Sequence, residues 1–171
     1  MTDPIPMPFK LRVLHAVTDA MKTITPDDGY ALDLSDFEEF DNDVTPPVSL
    51  GMTSRVCRGR AWFGDSDPIP MLSILEGVAA ADLVEETPLP TVAGEYDWPL
   101  LIQGFVDDDK LNPTDPAYYF LADVRRRLAV EQVRRRPASS GSNGIDPFGM
   151  GTQPNRIVNL RIGSGVVRPA D

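Results

Sequence analysis

The sequence predicts an α+β domain: a mixed, mainly antiparallel sheet with two helices packed on one face and long loops between the elements. Three observations lead there. Two stretches carry apolar residues at helical three- and four-residue spacing, one near each end of residues 8–136. Five short runs rich in β-formers lie around and between them. The 17 prolines fall mostly outside both kinds of segment, so they shape connections. At 171 residues the chain is sized for one domain spanning 1–171, able to bury a core without staples.

The elements follow in order. In residues 8–24, PFKLRVLHAVTDAMKTI, Val13, Val17, Met21 and Ile24 mark one buried helix face. Pro8 suits the helix start and Thr25-Pro26 its end. YALDL (30–34) alternates as a short strand does. The acidic, proline-containing stretch 35–53 reads as a flexible loop. SRVCRGRAWFG (54–64) reads as a strand, and PMLSILEG (70–77) as its return strand in a long-looped β-hairpin. Residues 78–97 read as a second acidic, flexible excursion. WPLLIQGFV (98–106) is apolar on both faces, with Trp98, Leu100, Ile102 and Val106 on one, as expected inside a sheet. Residues 116–136 form the second helix through Ala117, Leu121, Val124 and Leu128, with Arg134, Arg135 and Arg136 at the negative end of its dipole. A Gly/Ser/Pro-rich stretch, 137–154, reads as a mobile linker, and NRIVNLRIGSGVV (155–167) as a last strand of the sheet.

Composition excludes several classes. A net charge of −10 and a pI near 4.5 argue against a general nucleic-acid binder, which carries a basic face. They do not exclude a protein past which DNA must slide without sticking, because like charge repels. Cys57 is the single cysteine, so no intrachain disulfide forms. No apolar run approaches the ~18 residues of a membrane span, and the N-terminus lacks a signal-peptide core. The expectation is a chain without membrane attachment, folded in a cytoplasm.

FVDDDKLNPTDP (105–116) concentrates four aspartates. Read as a calcium loop from Asp107, it places Leu111 where a ligand is needed and Asn112 where glycine must turn the chain. The template fails. Capping explains the end of the stretch better, with Thr114 or Asp115 as cap and Pro116 in the first turn. Asp107, Asp108 and Asp109 gain from the nearby helix N-terminus. Cys57 and His15 could pair as nucleophile and base only if a third group oriented them, and no such motif surrounds either. The better reading is a packed thiol and a surface or satisfied imidazole. Arg55, Arg58 and Arg60 lie close on one run and suit acidic partners, in this chain or a neighbouring copy. The same holds for Arg125, Arg126 and Arg127 on the second helix. No phosphate loop, H-E-x-x-H, CxxC or G-x-S-x-G occurs, so the sequence supplies no catalytic residues, no metal ligands and no cofactor site.

Two segments, RVCRGRAWFGDSDPIPMLSILE (55–76) and WPLLIQGFVDDDKLNPTDPAYYFLADVRRRL (98–128), resemble the tail terminator, or tail completion, proteins of long-tailed bacteriophages. The likeness lies in pattern and order and covers residues 9–133. It implies a small α/β subunit of the virion, not an enzyme, assembled as a hexameric ring at the head-proximal end of the tail tube. Such a ring ends tube polymerisation, meets the head-completion or connector proteins, and lets DNA pass through. The tail tube protein is its implied neighbour, with the tape measure protein a further one. Arg58, Arg60, Asp107–Asp109 and Arg125–Arg127 are the expected interface residues. A head-completion (neck) protein of the same virion, or an unrelated non-enzymatic binding domain, are the alternatives.

Overall fold

The computed structural model describes residues 6–64, 66–76, 97–140, 144–151 and 155–168. The first helix, α1 (Phe9–Lys22), buries Val13, Leu14, Val17, Ala20 and Met21, the face that the spacing marks. Two sheets follow. One is an antiparallel pair, β1 (Phe37–Asp41) and β2 (Val48–Thr53). The other has the order β3 (Val56–Arg58), β4 (Met71–Glu76), β5 (Leu100–Phe105). The second helix, α2, runs Asp115–Gln132. The fold is α+β with mostly antiparallel pairing, as the sequence predicts.

The core lies between the three-stranded sheet and the helices. Register places Leu72 opposite both Val56 and Gly104, and Ile74 opposite Ile102, so the even-numbered side chains share a face. That face joins α1 and α2 in one apolar cluster through Val56, Leu72, Ile74, Phe120 and Val124. Trp98, Leu100, Ile102 and Val106 pack on it too, as their alternation predicts. On the other face Met71, Ser73 and Leu75 are also buried, which makes β4 the central strand.

Several expectations change. The 54–76 unit is not a hairpin: β3 and β4 run parallel. The twelve residues from Gly59 to Pro70 are long enough for a crossover. Gly59, at φ +69°, turns the chain out of β3. β5 is not central either. Among the described residues it has no partner on its outer edge. Its second apolar face is instead covered in part by Phe63, edge-on to Phe105 at 4.3 Å between ring centroids.

Residues 30–34 form no strand. Their donors are satisfied by a helix carboxylate: Ala31 and Leu32 donate their backbone N–H to Asp123 Oδ2 at 2.8 and 3.0 Å. Leu34, fully buried, donates to the Ile24 carbonyl. Conversely, the supposed loop at 35–53 contains the β1–β2 hairpin, and the alternation of Val48, Leu50 and Met52 is its sequence signal. The expected loop at 78–97 lies, except for Asp97, outside the described residues.

The two C-terminal expectations also change. Residues 144–151, within the expected mobile linker, dock on the end of α2. Asp146 N–H donates to the Arg134 carbonyl, and its carboxylate accepts the Gly151 N–H. Residues 155–168 join no ladder. Side chains hold them instead. Gln132 Nε2 donates to the Leu160 carbonyl at 2.8 Å, Arg161 pairs with Asp97, and Gly165 lies so close to Leu121 that a Cβ there would meet its Cδ1 at 2.2 Å.

Candidate assembly surface

The aspartate stretch forms a turn rather than a metal loop. Asp109 Oδ1 accepts the backbone N–H of Leu111 at 2.9 Å and of Asn112 at 2.8 Å. This carboxylate bends the chain back on itself just after β5. The Asn112 carbonyl then accepts the Asp115 N–H, which sets the helix start. Thr114 occupies the cap position without a side-chain hydrogen bond, and Pro116 lies in the first turn. The expected side-chain cap is therefore replaced by a backbone turn that Asp109 organises. Asp107 and Asp108 are exposed. Among the described residues no three His, Cys, Asp or Glu side chains come together as metal ligands. A shallow depression of about 350 Å³ lies beside the turn, lined by Ala31, Leu32, Asp109, Asn112, Pro116 and Tyr119.

The Asn112 and Leu111 amides hold the Asp109 carboxyl below the usual carboxylate range. Three others are lowered too: Asp33 by the Ser35 hydroxyl, Asp36 by the Lys22 ammonium, and Asp67 by the Gly64 amide and then Arg60. A folded-state pKa below the unfolded value, about 3.9, gives stability that is complete above that value. It is lost as pH falls through the folded values. Denaturant titrations should therefore show a stability from these groups that is level between about pH 7 and 5 and declines below about pH 4. Asp109→Asn should flatten part of that decline; an unchanged acid limb would remove Asp109 from the account.

The arginines divide. Arg58 Nη1 donates to Thr18 Oγ1 at 3.2 Å, on the helix-facing side of the sheet. Arg60 pairs with Asp67 and lies over the Phe63 ring. Arg126 Nη1 donates to the Gly29 carbonyl at 2.7 Å and stacks on Tyr30. Arg127 is buried: its Nε reaches the Ala20 carbonyl and Thr23 Oγ1, and its Nη2 pairs with Glu131 at 2.7 Å. Its guanidinium ties α2 to the end of α1. Arg125 is exposed and projects from α2. Cys57 Sγ approaches the Leu72 carbonyl at 3.4 Å, the contact of a packed thiol.

The surface that sequence reading missed is the hairpin. β1 and β2 pack on each other and hardly on any other element. Lys22–Asp36 and the Arg55 guanidinium over Phe37 fix its root. Beyond that, Phe40, Val48, Leu50 and Met52 are exposed, Leu50 by 63% and Met52 by 69%. A lone two-stranded hairpin is marginal in water, so this arm gains by lying against something.

Fold and surface together define a class: a small α+β protein with an exposed, partly apolar β-hairpin arm. No helix among the described residues is long and apolar enough to cross a membrane. Neither the protein-family models nor the curated proteins contain a match to the chain.

Proposed function

We propose that this chain is a ring-forming structural subunit of a virion. Within that class it is a tail terminator, closing the head-proximal end of a long phage tail and joining it to the neck. The observation that carries the reading is the arm. Its apolar side chains are left exposed by the chain that bears them, as expected of a surface completed by assembly. The resemblance at 55–76 and 98–128 gives that assembly its identity. A closed ring needs two different surfaces per subunit, and a projecting arm is one of them. The net charge of −10 suits a channel that must not grip DNA. In this role the chain catalyses nothing and takes no cofactor. Its partners are further copies of itself, the tube protein and the head-completion proteins.

Electron microscopy and native mass spectrometry test the reading. The purified chain, alone or mixed with the tail tube protein, should form six-fold rings, and tubes polymerised in its presence should carry a ring at one end. A chain that stays monomeric in both settings, with tube length unaffected, would overturn it.

A further inference from the structure

The ring requires a receiving surface for the arm, and the charge distribution picks one out. Every charged residue from Phe37 to Thr53 is acidic: Glu38, Glu39, Asp41 and Asp43. On α2 the pattern is reversed. Its two interior carboxylates, Asp123 and Glu131, are buried, while Arg125 and Arg126 are exposed. Around those arginines Tyr118, Tyr119, Val130 and, just past the helix, Val133 are exposed as well. One chain thus carries an acidic arm with exposed apolar side chains and, on α2, a basic surface with exposed apolar side chains.

We propose that the arm of one copy seats on the outward face of α2 of the next copy. Phe40 and Met52, which the bulged register places on one face of the hairpin with Leu50 at the bulge between them, lie against α2 between Tyr119 and Val130. The acidic side chains reach Arg125 at the edge of that helix face. The contact is heterologous, so repetition closes a ring or extends a filament rather than stopping at a dimer. This inference rests on the ring reading and adds to it which two surfaces meet.

The test uses the full chain. Leu50→Glu with Met52→Glu, and separately Arg125→Glu with Val130→Glu, change exposed side chains and should leave circular dichroism and melting temperature as in the wild type. Each pair should weaken self-association at least about tenfold, read by light scattering across a concentration series. In a Cys57→Ser background, a Leu50→Cys copy mixed with a Val130→Cys copy should form a heterodimer with a short bis-maleimide. The Leu50→Cys copy alone should not form a dimer. If the wild type forms rings and the variants form them equally well, or the crosslink is absent, the arm–helix contact is overturned and the ring reading stands. If the wild type remains monomeric alone and with the tube protein, both fall.

Discussion

Gly104→Ala should destabilise the protein by about 1–3 kcal/mol, although it adds one methyl group to a strand. Glycine usually weakens a strand, so alanine in its place would ordinarily help. Here α2 crosses β5 so closely that a Cβ at residue 104 would lie 2.2 Å from Phe120 Cε1, 2.5 Å from Cζ and 2.8 Å from Cδ1. Such distances cannot stand, so ring or backbone must move. Phe120 is buried in the core cluster beside Val124 and Leu72, so its ring has little room to yield. Gly104→Val should be worse still. The cause can be isolated by a double-mutant cycle: Gly104→Ala should cost less beside Phe120→Leu than alone, with a coupling of about 0.5–3 kcal/mol. Urea denaturation of the four proteins measures it. Additive behaviour would mean that the close approach is not what selects glycine.

Glu131→Ala should cost more, about 3–5 kcal/mol, because it strands a buried charge. Glu131 is only 1% exposed. Its Oε1 meets Arg127 Nη2 at 2.7 Å. Its Oε2 accepts Arg134 Nε at 3.0 Å and the Phe148 backbone N–H at 2.8 Å. Phe148 adopts φ +60°, uncommon for a side chain of its bulk, and the Glu131 contact holds the chain in that turn. Removing the carboxylate leaves the buried Arg127 without its counter-charge and also releases the 144–151 segment. Replacing both partners, with Arg127→Met and Glu131→Leu, should restore much of the loss, since neither charge is then buried. Urea midpoints report the global cost. Hydrogen exchange at the Phe148 and Gly151 amides reports the local one, and protection unchanged in Glu131→Ala would contradict the assignment.

The sequence was informative where a pattern was local. Helical spacing located both helices, and alternation assigned the even-numbered side chains of β5 to the core. It misled wherever a distant side chain did the work of a strand partner. YALDL alternates, yet its amides are taken by Asp123, some ninety residues away, which no local pattern reveals. The alternation at 155–167 failed similarly: Gln132 and Leu121 hold the segment without a ladder. The direction of β4 relative to β3 was illegible because a twelve-residue connection fits either a long hairpin or a crossover. The hairpin at 37–53 was legible in Val48, Leu50 and Met52, but the surrounding acidic residues and prolines masked it. Of the expected interface residues, spacing alone could not separate outward Arg125 from inward Arg127, which are only two positions apart.

One feature of α2 bears on how the chain comes into being. Asp123 holds residues 31 and 32, Arg127 holds the end of α1, and Glu131 holds residue 148. The first two links join residues 92 and 107 positions apart in sequence. On the ribosome, α1 and the segment after it must therefore wait, with their apolar faces uncovered, until α2 has emerged. At about 5–20 residues per second that wait lasts several seconds. Synthesis that stops before residue 131 should leave the amino-terminal part open to proteases and chaperones, and folding should follow emergence of α2 as a late, concerted event.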